Sequence, residues 1–235
     1  MLTHRIAFKK NESGAVFFYI LLAIALLAAL TYAVSRGNRG GISTLTTQQA
    51  KLAAQEIIEY GNTVATAVQK LKLRGCTDTE ISFEGLLGAG SYINPNAPND
   101  ETCHVFSQAG ASAVTKDFID QSWLDTSFEG QASYQDFVVT GDVRVLDLGS
   151  TETELLLYVP YIKNEVCNEI NRALTIIVDE TDIIGGGVSA FTGAYVASAI
   201  PNLGDEETSI AGETAFCVQR AAGSWRYSSQ VLIAR

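Results

Sequence analysis

The residues that most resemble a reactive centre are Cys103 and the histidine that follows it, His104. A thiol activated by an imidazole is a common enzymatic nucleophile. Neighbouring residues of an extended chain point to opposite sides, however, so His104 is poorly placed to deprotonate Cys103. No G-x-S-x-G, H-E-x-x-H or phosphate-binding glycine loop occurs in the sequence. The sequence therefore predicts a protein that is not an enzyme, and a hydrolase joining His104 to a distant Ser or Asp is the third alternative.

Two acidic clusters have the chemistry of a hard-cation site. They are Asp179, Glu180 and Asp182, and Asp205, Glu206 and Glu207. Carboxylate oxygens are the ligands that Ca²⁺ prefers, but neither cluster has the 1-3-5-12 spacing of a calcium loop. We therefore predict a solvated acidic surface with no metal and no cofactor, and calcium binding is the alternative.

Charge is distributed unevenly along the chain. Up to Arg74 there are nine Lys/Arg and three acids, and from Gly75 onward there are seven Lys/Arg and 23 acids, a net charge of −16. Such an acidic region repels phosphate backbones, so nucleic acid is excluded as a partner. The same region is rich in Val, Ile, Leu, Tyr and Phe, enough to build a core.

Four cysteines lie in this acidic region: Cys76, Cys103, Cys167 and Cys217. No pair has the C-x-x-C spacing of a zinc site, and an even number of cysteines favours disulfides. Of the three connectivities we prefer Cys76–Cys103 with Cys167–Cys217, because each bond ties elements that are close in the chain. Free structural thiols are the alternative.

The acidic region predicts an α+β head domain over residues 76–235, because it contains both strand-like and helix-like segments. Two apolar runs around Gly149–Ser150 predict adjacent antiparallel strands, and the segments flanking residues 221–224 predict a terminal hairpin. Residues 164–174 predict a short helix. Ser91–Asp100 reads as a loop, and residues 179–209 show no period and read as an irregular insertion.

Before the head lies an uncharged segment of 20 residues, Ala15–Val34. As a helix it would be about 30 Å long, which matches the hydrocarbon core of a bilayer. A cleaved secretory signal has a shorter apolar centre, so a retained transmembrane helix over residues 15–36 is favoured over a removed signal. Flanking Lys and Arg do not decide its orientation, but the predicted disulfides favour a cytoplasmic N-terminus and a periplasmic head, anchored in the inner membrane by one span.

Within the apolar segment, small residues recur every four positions at Ala25, Ala29, Ala33 and Gly37. This spacing places them on one helix face, where they would allow a second helix to approach closely. The alternative is that alanine is simply common in apolar helices.

A second, amphipathic helix is predicted within residues 37–75, with Ser43 or Thr44 as its N-cap and Gly75 as its stop. Its apolar positions recur at steps of three and four, which predicts a stripe packed on the protein's own head domain. The stripe is formed by Ala50, Ala53, Ile57, Tyr60, Val64, Ala67, Val68 and Leu71. The expected fold is α+β, with one long N-terminal helix, half transmembrane and half amphipathic, packed on an antiparallel sheet.

The N-terminal stretch resembles the leader and first helix of type IV pilins and pseudopilins. Lys9, Lys10 and Gly14 precede an apolar run that begins at Ala15, and in that family a dedicated prepilin peptidase cuts after the glycine. The family fold is a long helix laid against an antiparallel sheet, with a disulfide near the C-terminus. The helix at VCNEINRAL and the last strand, ending VLIAR, are similar to elements of pilin-like heads.

The resemblance implies a leader at residues 1–14, processing between Gly14 and Ala15, and other pilin-like subunits, the inner membrane and prepilin peptidase as partners. Most members carry a glutamate five residues into the mature chain, where this sequence has Tyr19. The resemblance is therefore to minor or tip-type subunits. We expect a structural subunit of a pilus, displayed in an extracellular filament, or of a secretion pseudopilus. The alternative is an anchored binding or adhesin module that does not polymerise.

Overall fold

The computed structural model describes residues 17–28, 46–85, 92–116, 119–178, 181–182, 189–196, 202–220 and 225–235. The chain forms two compact units, Met1–Thr44 and Leu45–Arg235. In the first unit, helix α1 covers residues 17–28. Every residue of α1 is apolar or aromatic, so the helix has no polar face.

The prediction of a long N-terminal helix with a transmembrane half is wrong. The twelve residues of α1 rise about 18 Å, well short of the roughly 30 Å hydrocarbon core of a bilayer. Among the described residues no helix is both long enough and apolar enough to cross a membrane. This finding contradicts the predicted single-pass inner-membrane location with a cytoplasmic N-terminus and a periplasmic head.

Helix α2, Thr47–Leu73, is the longest element of the second unit. It begins with a capping box: the Thr46 hydroxyl accepts a hydrogen bond from the Gln49 backbone N–H, and the Gln49 side chain accepts one from the Thr46 backbone N–H. The N-cap is thus Thr46 and not Ser43 or Thr44. The helix ends at Arg74, followed by Gly75 in a left-handed conformation. All eight residues of the predicted stripe are buried.

The sheet of the second unit has the order β1-β2-β5-β4-β3. Its strands are β1 (Val138–Val143), β2 (Glu154–Ile162), β3 (Thr181–Asp182), β4 (Ala215–Arg220) and β5 (Arg226–Ile233). Four strands pair antiparallel, and the two-residue β3 pairs parallel with β4. The predicted β1–β2 pairing and the predicted terminal hairpin, β4–β5, are both present.

Both faces of the sheet are covered, because every residue of β1 and β2 is buried. On one face, Leu155, Leu157 and Val159 share a core with the stripe of α2 and with helix α3, Asn164–Leu174. On the other, Leu156 and Tyr158 pack in a second core with Leu203 of the irregular segment and with Ile210, which follows it. A strand with almost no polar residues, such as β2, is stable only when both faces are buried. Short 3₁₀ turns lie at Gln121–Trp123, Thr126–Phe128 and Thr208–Ile210.

Candidate assembly surfaces

The most apolar exposed surface in the described chain belongs to α1. Nine large side chains of this helix are between 47% and 67% exposed: Phe17, Phe18, Tyr19, Ile20, Leu21, Leu22, Ile24, Leu26 and Leu27. A helix that is apolar around its whole circumference is stable in water only when other apolar surface covers it. Such a surface is suited to association with other chains.

Of the predicted packing and processing residues, only Ala25 lies in the described part of the chain. It is an exposed residue of α1. Gly14, Ala15, Ala29, Ala33 and Gly37 lie outside the described residues. Tyr19 is also exposed on α1.

The outer edge of β1 is covered by the chain itself. The Tyr92 hydroxyl accepts a hydrogen bond from the Val139 N–H (3.1 Å), and the Val139 carbonyl accepts one from the Phe191 N–H (2.9 Å). Three residues further along, the Asp142 carboxylate accepts a bond from the Ser189 N–H (2.8 Å), which holds the same covering segment against β1. The two bonds of Val139 occupy backbone groups that an added strand would need, so strand addition at this point of the edge is disfavoured.

The outer edge of β4 is covered by a single side chain of α3 together with the short β3. The Asn171 amide donates to the Cys217 carbonyl (2.6 Å) and accepts from the Cys217 N–H (2.7 Å), so it copies the hydrogen bonding of a neighbouring strand. The next backbone groups, at Gln219 and Arg220, pair with β3. The backbone groups of Cys217, Gln219 and Arg220 on this side of β4 are thus already used within the chain.

The four cysteines form two disulfides, Cys76–Cys103 and Cys167–Cys217, the connectivity that the sequence favours. The first joins the end of α2 to the loop after it, and the second joins α3 to β4. Cys167 and Asn171 are one helical turn apart and both reach Cys217, so one face of α3 is held against β4 by a covalent bond and two hydrogen bonds. This spacing is the signal in the sequence that could have identified Asn171.

The residues singled out for chemistry do not form a reactive centre in the described structure. Cys103 is bonded to Cys76 and offers no thiol to His104, whose backbone pairs with Glu101 and Ala111. No group of three His, Cys, Asp or Glu in the described ranges could hold a metal ion. Asp179 and Glu180 lie outside those ranges, and the Glu207 side chain instead caps a 3₁₀ turn by accepting from the Ser209 N–H.

A shallow groove of about 570 Å³ runs between α2 and α3. Its lining includes Ile58, Leu174 and the two threonines Thr63 and Thr66. The threonine hydroxyls bond to carbonyls of α2 one turn back, at 2.8 and 2.7 Å, so part of their hydrogen-bonding capacity is already used. The groove is therefore more apolar than its residue types suggest.

Comparison of this chain with protein families, with curated proteins and with solved structures finds no match.

Proposed function

We propose that this chain is a non-enzymatic, pilin-like structural subunit that assembles with similar subunits through α1. The observation that carries the proposal is the exposure of nine large apolar side chains around a helix with no polar face. Each Å² of apolar surface removed from water contributes roughly 25 cal/mol, so mutual burial of such helices supplies a driving force for association.

The second unit supports assembly through helices and not through strands. At the outer edges of β1 and β4, Val139 is hydrogen-bonded to Tyr92 and Phe191, and Cys217 is hydrogen-bonded to Asn171. Most of its apolar residues lie in two internal cores. The second unit thus buries its own apolar residues, whereas the apolar side chains of α1 are exposed.

The resemblance at Gly14 and Ala15 adds a processing step to the proposal. A prepilin peptidase would cut between these residues, and the apolar run from Ala15 would then begin the mature chain. Tyr19 in place of the usual glutamate supports a minor or tip position, because it provides no negative charge to pair with a neighbouring N-terminal amine.

The test is sedimentation velocity of the full chain and three variants. The wild type is expected to form concentration-dependent oligomers, and Leu22→Asp combined with Leu26→Asp to sediment as a monomer, because two carboxylates one turn apart would have to be buried. Leu73→Asp is the control, since Leu73 is 89% exposed at the end of α2. It should assemble like the wild type.

Ala25→Leu distinguishes close packing of two helices from non-specific hydrophobic association. It adds apolar surface but prevents close approach of two helix backbones, so packing through the small face predicts association weakened by about tenfold. Equal or stronger association would contradict packing through that face. A wild type that stays monomeric at all concentrations would contradict the proposed function and favour the binding module that does not polymerise.

A further inference from the structure

We draw no further inference here: the strongest candidate, the shallow groove between α2 and α3 lined by Ile58 and Leu174, carries none because nothing in the structure shows what covers it.

Discussion

Helices α1 and α2 are both rich in apolar residues, yet they differ in where those residues are buried. In α2 the apolar positions form one stripe that faces the chain's own sheet and α3. All eight residues of the stripe are buried, together with Ala54 and Gly61 beside it. In α1 every position is apolar or aromatic, and the large side chains are about half exposed or more. A periodic pattern is satisfied within one domain, whereas an unbroken apolar surface requires further molecules to cover it. The comparison separates residues that fold this protein from residues that we propose assemble it.

The largest expected effect on the folding of the head comes from its second disulfide. Cys167→Ser combined with Cys217→Ser should lower the free energy of unfolding by about 4 kcal/mol, because the bond closes a loop of 50 residues. The equivalent pair of changes at Cys76 and Cys103, separated by 27 residues, should cost slightly less. Urea unfolding of the full chain followed by circular dichroism measures both. Equal unfolding midpoints in the presence and absence of a reductant would contradict the expectation.

The next effect contrasts two leucines near the end of α2. Leu71 is fully buried and Leu73 is 89% exposed. Leu71→Ala should cost about 3 kcal/mol through lost burial and the cavity left behind, and Leu73→Ala should cost a few tenths of a kcal/mol at most. Chemical denaturation gives both values, and sedimentation should show assembly unchanged in the Leu73 variant. Similar losses at the two positions would remove the distinction between the stripe and the outer face of α2.

Where the sequence contains a period or a covalent constraint, it predicts the fold well. The stripe from Ala50 to Leu71 determines which face of α2 is buried, and α3 has the predicted bounds, Asn164–Leu174. Features set by tertiary contact could not be read in this way. The residues YVPYI do not predict the β-bulge at Tyr161, where the pairing of β2 with β5 shifts register between Pro160 and Ile162. The bulge is defined only by that pairing. The apolar run of the first unit predicts one long transmembrane helix, but α1 covers only residues 17–28. Composition alone does not determine where a helix begins and ends.

The ring contacts of Tyr161 with Phe128 and Trp225 could not be predicted from the sequence either. Phe128, Tyr161 and Trp225 are far apart in sequence and follow no period, so only the fold brings their rings together.

A third prediction concerns Glu154, a polar residue buried inside the second unit. Its side chain is 0% exposed; one oxygen accepts from the Val145 N–H (2.7 Å), and the other has no hydrogen-bond partner among the described residues. Burial raises the pKa of Glu154 to about 7, although the Val145 bond and the charges of Arg144 and Arg235 oppose the rise. The folded state therefore binds this proton more tightly than the unfolded state does, so stability from this group is full below about pH 4.5 and is lost as the pH rises towards 7.

Glu154→Gln should remove this dependence. Relative to the glutamine variant, the wild type should lose about 3 kcal/mol of unfolding free energy between pH 4.5 and pH 7.5. Glu152→Gln is the matched control, because the Glu152 side chain is mostly exposed and lies two residues away. Urea unfolding at both pH values measures the difference. Parallel pH profiles for the wild type and the Glu154 variant would show that burial does not raise this pKa.

The smallest effect concerns the point at which α2 begins. Thr46→Ala removes both the hydroxyl that caps the Gln49 N–H and its contact with the Gln49 side chain, so it should cost about 1 kcal/mol. Thr66→Ala is the matched control, since the Thr66 hydroxyl bonds only back to its own helix at Asn62 and alanine has the higher helix propensity. It should be neutral or slightly stabilising in urea unfolding. If both threonine variants unfold alike, Thr46 does not fix the start of α2. If the Thr46 variant also assembles less tightly in sedimentation velocity, then α2 takes part in assembly and the division of roles between the two helices fails.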